Sequence, residues 1–560
     1  MSLKVKIHRP SFFLFVSVFL ACALLVFSGR AAAVVVSDNE LATKAGMEIL
    51  QRGGNAVDAA LATAFALGVV DPASSGLGGG GFLVIYQAKQ KKAHVLDFRE
   101  TAPAAARKDM FIKGGKPVPS LSVTGPLAVA VPGMVAGFTE AWKRFGTMPL
   151  LALLTPAIRY AAEGFPLYPH LRFALERHLP SIRKSPDLAR VFLKGDDVPP
   201  LGEKVFQAQL AQSLKAIGEK GRDVFYQGWI AQAIAERLKK EGGILTFEDL
   251  KNYKPVWREP LIGAYRKQLI ITMPPPSSGG IALVQMLNVL EGYPLHLFPH
   301  NSPTYLHLLT EAMKHAFSDR AQYLGDPDFV QVPVARLTSK EYATWIRKQI
   351  SSVKTFPPKY YGLGSFRQEQ GGTTHFGALD RAGNAVACTL TINTQFGAKI
   401  LVQGTGIVLN NEMDDFSIQS GVPNVYGLIG SEANAIQPRK RPLSSMTPTV
   451  ILKDDRPAMI VGASGGPRII SATLQTVVNV LDFHMPLQKA IETPRIHHQW
   501  MPDGLVVESN ISPTARKTLE GLGHRVKEKD SLGVVQMILV KGRKIMGMAD
   551  PRKEEKARVE

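Results

Sequence analysis

Along the 560-residue chain the spacing of apolar positions changes character more than once. The stretch "NELATKAGMEILQRGGNAVDAALATAFALGVVDP" carries Ala and Leu at helical intervals and predicts two helices broken at Gly53–Gly54. "GLGGGGFLVIYQ" leads into a strand, and "KKAHVLDFRE" predicts another. From about Met134 to Leu261 the pattern is largely helical, with loops at "FPLYPH" and "LKGDDVPPLGEK". "LIITMPPPSSGGIALVQMLNVLEGY" reads as a strand, a stiff proline turn and a helix; a further helical stretch runs past Asp319 and closes at "YLGDPDFVQVP". Ser351 to Gly372 is loop-like. Beyond Thr373 the pattern turns to strands: "TTHFGALD", "AVACTLTINT", "GTGIVLNNE", "PTVILKD" and "AMIVGAS". A helix, "PRIISATLQTVVNVLDF", and a final set of short strands follow. The pattern predicts a helix-rich first two-thirds joined at Gly372 to a strand-rich last third.

That junction holds an odd composition. "EQGGTTHFGALD" sets two glycines directly against two threonines at a strand start. A turn needs one glycine and a strand wants none. A flexible junction or a bulge accounts for the pair, and so does a need for close approach to the Gly372 carbonyl. A threonine hydroxyl is a poor nucleophile without a base, but the residue's own α-amine can serve. That amine exists only once the preceding peptide bond is cut, and its ordinary pKa of about 7.7–8.0 leaves a useful neutral fraction at physiological pH.

Composition narrows the class. Hydrophobic content of 45% and charged content of 20% are those of a globular protein with a large core. The formal charge is +19, yet Lys and Arg are scattered and no basic run interleaves with aromatics, which argues against nucleic acid and favours small anionic substrates. Lys4, Lys6 and Arg9 precede an apolar run from Ser11 to Phe27, then "SGRAAAVVVS". This is the layout of a secretory signal peptide over residues 1–33, cleaved near Ala31–Ala33, and it predicts a periplasmic or secreted protein. The run is about 17 residues, short of the ~20 a bilayer span needs, which makes an uncleaved anchor the lesser reading. Cys22 leaves with the leader, so Cys388 has no disulfide partner, and its place on the apolar face of "AVACTLTINT" assigns it to the core.

Several motifs are chemically empty. "GLGGGG" has dinucleotide-loop spacing but precedes a strand rather than opening a helix, and no Walker lysine follows a Gly-rich turn. His497 and His498 of "RIHHQW" are adjacent and share no face, so no metal set is completed. No cofactor or metal is expected. The absence of a G-x-S-x-G elbow argues against a serine hydrolase. Others gain meaning beside a threonine nucleophile. Alternation in "ACTLTINT" puts Thr389, Thr391 and Asn393 on one face. "NNEMDDF" offers Glu412, Asp414 and Asp415 to hold an ammonium, and "GASGGPRII" places Gly465 and Gly466 before a helix, where their N–H groups suit an oxyanion. Arg99 ends an apolar strand and needs an anionic partner, and "RPLSSMTP" adds the hydroxyls of Ser444 and Ser445.

From about Val36 to beyond Pro551 these stretches resemble the γ-glutamyltransferases, also called γ-glutamyl transpeptidases or glutathione hydrolases. "GGNAVDAA", "LGGGGF", "DFRE", "MPPPSSGG", "YLGDPDFV", "TTH", "NNEMDDFS", "RPLSSM", "SGGPRII" and "HHQW" occur in the family's order. The resemblance implies an α+β fold: the four-layered αββα sandwich of the N-terminal-nucleophile hydrolases, formed jointly by a large subunit (34–372) and a small one (373–560). It implies that the chain cuts itself between Gly372 and Thr373 and that the two pieces stay together as a heterodimer. Thr373 then attacks γ-glutamyl amides such as glutathione, and water or an amino-acid or peptide acceptor resolves the γ-glutamyl-enzyme. Gly465 and Gly466 would supply the oxyanion donors, and Thr391 would bond near the nucleophile. Arg99, Ser444 and Ser445 match the grip on the glutamyl α-carboxylate; Asn393, Glu412 and Asp415 match the grip on its ammonium. Tyr426 stands where the family's lid tyrosine lies. The rival readings are a cephalosporin or glutaryl acylase on the same fold, an uncleaved exported binding protein, and a serine-type secreted peptidase.

Overall fold

The computed structural model describes residues 33–362 and 372–553. The expected leader, apart from Ala33, and residues 363–371 of the loop before Thr373 lie outside the described residues. Two six-stranded sheets, antiparallel throughout, form the two inner layers. The first runs in the order Val34–Ser37, Gly372–Leu379, Ala385–Asn393, Gly80–Gln87, Lys92–Phe98, Val256–Arg258. The second runs Lys544–Ala549, Val534–Lys541, Arg456–Ser464, Thr449–Lys453, Gln268–Thr272, Leu261–Tyr265. Helices cover each outer face, giving the expected αββα order.

The alternation of side chains builds these layers. In Gly80–Gln87, Leu83 and Ile85 pack into the core beneath the helices, while Phe82, Val84 and Tyr86 join the core between the sheets. The helix Ala56–Val70 is buried at every position and lies over the first sheet. Asn55 and Asp58 close its start with reciprocal hydrogen bonds, and Asn39 caps the preceding helix, Glu40–Gln51, so the predicted break at Gly53–Gly54 stands. Arg468–Leu481 and Gly279–Glu291 cover the second sheet. Cys388 is fully buried in the first core, as its place on the apolar face predicts. No helix among the described residues is long and apolar enough to cross a membrane.

The chain is helix-rich before Gly372 and strand-rich after it, as expected, but the two parts are not separate layers. Residues before Gly372 supply four strands to the first sheet and two to the second. Helical periodicity is local, whereas strands such as Val34–Ser37 and Gly80–Gln87 find partners beyond Gly372. The strand Val34–Ser37, just past the expected leader, was not anticipated, since four residues are too few to show a period. "GTGIVLNNE" forms only the two-residue strand Ile407–Val408 before the chain turns away at Asn410–Asn411.

His375 is tightly lodged between the sheets. It is fully buried, its Nδ1 lies 2.9 Å from Thr389 Oγ1, and a Cβ on Gly462 would fall 2.3–2.7 Å from its ring. Burial pushes the imidazole down to about 3, so it stays neutral. Gly462→Ala is therefore expected to cost ~1–3 kcal/mol through overpacking. A urea midpoint equal to that of the parent would show that the sheets part without penalty.

Candidate active site

Two neighbouring strands place the nucleophile candidate. Thr373 stands opposite Thr391 in the ladder between Gly372–Leu379 and Ala385–Asn393, with a register irregularity between Gly372 and Thr373. The two hydroxyl oxygens lie 3.1 Å apart. Thr391 Oγ1 donates to the Gly372 carbonyl at 2.8 Å and accepts from the Asn393 N–H at 2.8 Å. A carbonyl can only accept and an N–H can only donate, so the Thr391 proton is committed to Gly372. Thr373 is therefore the donor in the threonine pair, and its hydroxyl is already oriented.

Close approach explains the glycine before it. A Cβ on Gly372 would lie 2.7–2.8 Å from the backbone of Thr394 and Gln395, which cannot give way. The earlier glycine run has a similar cause: Cβ atoms on Gly79 and Gly81 would meet the carbonyls of Thr391 and Thr389 at 2.1 and 2.2 Å. That run lets two backbones pack and has nothing to do with a dinucleotide.

Gly465 (φ +125°) and Gly466 (φ +61°) join the strand Arg456–Ser464 to the helix Arg468–Leu481 in conformations that L side chains avoid. Neither N–H donates a hydrogen bond among the described residues, while both carbonyls accept from the helix's first turn. Two unspent donors at a helix N-terminus beside Thr373 form the geometry that a developing oxyanion needs.

A buried charge cluster adjoins them. Arg99 is 1% exposed; its guanidinium pairs with Glu412 at 2.7 Å, with Glu100 at 3.5 Å, and with Asp415 at closer range still. Its Nε donates to the Pro442 carbonyl at 3.2 Å. Burial pushes the carboxyls of Glu100 (to about 8), Glu412 and Asp415 up, against the opposing pull of Arg99. One guanidinium among three carboxyls leaves an excess of acid, and neither oxygen of Glu100 makes a hydrogen bond. Ser444 Oγ accepts from the Met446 N–H at 3.1 Å, which leaves its own proton free. Ser444 is held by Pro276 and Ser278, so the "MPPPSSGG" turn braces the "RPLSSM" segment. Thr373, Thr391, Asn393, Arg99, Asp415, Ser444, Ser445, Gly466 and Tyr426 all line one small cavity. Its free volume is about 20 Å³, room for roughly one water.

Tyr426 closes that cavity. Its ring packs where a side chain on Gly466 would sit, and its hydroxyl donates to the Asn393 carbonyl at 2.6 Å. Asn393 is held at φ +73°, a conformation that asparagine tolerates better than most residues, and its amide donates to the Asn411 carbonyl at 2.9 Å. Asp414, read from sequence as a third carboxylate for a ligand, instead accepts from Ser122 Oγ at 2.6 Å and from the Val425 N–H at 2.9 Å. It anchors the loop that carries Tyr426.

Sequence reasoning missed three groups. Arg320, 4% exposed and bonded to Ser278 Oγ at 3.1 Å, lies near Asp415, whose charge partly offsets the lowering that burial imposes on it. Thr374, beside the nucleophile, donates to Asp38 at 2.7 Å, and Lys553 ties Asp38 to Asp71 at 2.5 and 2.6 Å. Neither has a local signal, since their partners lie at opposite ends of the chain. His307, Glu311 and His524 also converge, with His307 Nδ1 2.8 Å from His524 Nε2, in a cluster that does not line the Thr373 cavity. Glu311 there accepts from Thr355 at 2.6 Å and Tyr361 at 2.5 Å.

Comparison with known proteins agrees with this geometry. The family model for gamma-glutamyltranspeptidase matches residues 42–559. The chain is 45% identical over 523 residues to the glutathione hydrolase proenzyme of Escherichia coli, covering 93% of this chain and 90% of that one. It is 39% identical to the Bacillus subtilis glutathione hydrolase proenzyme over 526 residues, 90% of this chain and 87% of that one. Among solved structures, a cephalosporin acylase from Bacillus halodurans superposes with a TM-score of 0.83 at 29% identity, covering 98% of both chains. The Helicobacter pylori gamma-glutamyltranspeptidase superposes with a TM-score of 0.58 at 41% identity, covering 59% of this chain and 95% of that one. With the family model matched over residues 42–559 and relatives of 39–45% identity along nearly the whole chain, the chain belongs to the gamma-glutamyltranspeptidase family.

Proposed function

We propose that this γ-glutamyltransferase hydrolyses glutathione and other γ-glutamyl amides, and transfers the γ-glutamyl group to amino acids or peptides, after cutting its own chain before Thr373. The single observation that carries the reading is the Thr373 hydroxyl poised on Thr391, which in turn bonds the Gly372 carbonyl.

In the uncut chain, Thr391 polarises that carbonyl and stabilises the charge that develops on its oxygen. Thr373 Oγ1 attacks the Gly372 carbon, the C–N bond breaks, and the nitrogen takes up a proton. Water then hydrolyses the resulting ester, leaving Gly372 with a carboxylate and Thr373 with a free amine and hydroxyl. That amine is the base for the second reaction: it accepts the hydroxyl proton as Thr373 attacks the γ-amide and passes it to the departing amine. Gly465 and Gly466 donate to the oxyanion. The names of the relatives, glutathione hydrolase proenzymes, support both the cut and the substrate. The share of this chain covered by the Helicobacter pylori chain is close to the share between Ala33 and Gly372, which supports large and small subunits of 34–372 and 373–560 held as a heterodimer.

The charge cluster selects the donor. A glutamyl head brings an α-carboxylate for Arg99, Ser444 and Ser445, and an ammonium for Asn393, Glu412 and Asp415. A glutaryl or cephalosporin side chain that lacks the ammonium would leave those acids unmatched, and the relatives of higher identity favour the γ-glutamyl reading over the acylase one. Residues 1–33 supply the signal for export to the periplasm or beyond.

Purified protein is expected to run as two bands on a denaturing gel, the smaller beginning Thr-Thr-His-Phe, whereas Thr373→Ala stays one chain and is inactive. Cutting after Gly372 in that variant would remove Thr373 from the processing step. A second outcome follows from the acids that burial raises. Glu100, at about 8, is largely protonated at pH 7, burial pushes Glu412 in the same direction, and an arriving ammonium favours their ionised forms. Glutamate binding should then release up to about one proton and tighten from pH 6 to pH 8. Calorimetry in buffers of different ionisation enthalpy reads this directly; a heat independent of buffer, or tighter binding at pH 6, contradicts it.

A further inference from the structure

Thr373 faces a second cavity besides the one it shares with Arg99. This cleft has about 80 Å³ of free volume and is lined by Arg468, Gly465, His170, Phe173 and Ser531 as well as Thr373. Gly465 borders this side and Gly466 the glutamyl side, so an acyl carbon on Thr373 would sit where the two cavities meet.

Arg468 is the anomaly here. It is 5% exposed, yet its side chain makes no hydrogen bond or ion pair among the described residues, and its buried Nε has no partner. The titratable groups near it are Tyr426 and His497, neither of which carries negative charge there. The other two cations of the cleft are already matched: Arg552 by Glu508 and Asp550, and Lys553 by Asp38 and Asp71. An arginine buried without an anion is costly and invites one from outside. Its planar fork suits a carboxylate.

We propose that Arg468 receives the carboxylate of the group on the amine side of the scissile bond: first the departing peptide of a γ-glutamyl donor, then the entering amino acid or dipeptide. This rests on the γ-glutamyl reading and assigns its acceptor subsite. The half-buried Phe173 ring flanks the peptide. With the carboxylate held, the acceptor amine attacks the ester carbon, the bond from that carbon to Thr373 Oγ1 breaks, and the amine's proton returns through the Thr373 α-amine to the hydroxyl.

The test compares glycylglycine with glycylglycinamide, which lacks the carboxylate, as acceptors for γ-glutamyl-p-nitroanilide. In Arg468→Gln the KM for glycylglycine should rise by about tenfold or more, while that for the amide changes by less than about twofold. Arg468→Lys should recover part of the discrimination, and it serves as the measured variant should the glutamine form fail to fold or process. Equal shifts for both acceptors, or none, overturn the assignment. Nitroaniline release by the parent without acceptor reads the γ-glutamyl chemistry separately. Were it absent, that reading would fall, and the subsite would be judged by titrating both dipeptides calorimetrically. Binding of the amide about tenfold weaker supports it, and equal binding overturns it.

Discussion

The hydrogen bond from Thr391 to the Gly372 carbonyl is possible only because one antiparallel register holds. Thr391 is opposite Thr373, and a slip of one residue would bring Leu390 or Ile392 to that face and turn every hydroxyl into the helical core. The register is fixed from both sides. Phe376, Cys388, Leu390 and Ile392 are buried against the outer helices, and His375 is lodged between the sheets against Gly462. The strands also run on past the pair: the chain turns at Asn393, and its backbone returns so close to Gly372 that no side chain fits there. Thr373 is thus positioned by two cores rather than by a loop, which suits the chemistry proposed for it.

The Arg99 cluster obeys a different constraint. Three buried carboxyls share one guanidinium, with Arg320 further off, and the cavity between them holds little more than a water. A zwitterion changes this balance at both ends. Its carboxylate competes with Asp415 and Glu412 for Arg99, and its ammonium supplies the cation that those acids then lack. Donor and acids exchange partners with no charge left unmatched, whereas a simple anion would displace the acids from Arg99 and return nothing. The proposed specificity therefore rests on matching charges in a small buried cavity, which Tyr426 covers where its ring packs on Gly466.

Much of this was readable from the chain. The alternation in "ACTLTINT" placed Thr389, Thr391 and Asn393 on one face, and the structure keeps them there. Gly372 before Thr373 and the paired glycines before the helix at Arg468 mark places where a Cβ has no room or the backbone is left-handed. What could not be read is whatever depends on distant partners. Residues on both sides of Gly372 interleave in both sheets, although composition suggested a division. Arg99 carried a visible need for an anion, but nothing local showed that its partners would be Glu412 and Asp415 or that Asp414 between them would face a loop instead. Arg468 lay inside a motif whose glycines drew the attention, and its lack of a partner appears only once every neighbour is in place.

Interleaved sheets also bear on what a cut before Thr373 would do. Val34–Ser37 pairs with Gly372–Leu379, Ala385–Asn393 with Gly80–Gln87, and Gln268–Thr272 with Thr449–Lys453. Breaking one peptide bond removes none of these ladders, and both cores draw side chains from each side of the break. Separation would expose two sheet faces and several unpaired strand edges at once, so the pieces have no partial route apart. The ion pairs reinforce this: Lys553, near the end of the chain, is buried against Asp38 and Asp71 near its beginning, and dissociation would leave those charges stranded. Scission can therefore release a new amine at the start of the strand Gly372–Leu379 while the architecture around it stays as it was. This requirement sets a limit on where such a bond can lie: at the end of a strand, with a glycine carbonyl turned out of the ladder toward a hydroxyl, and not within the paired stretch that follows.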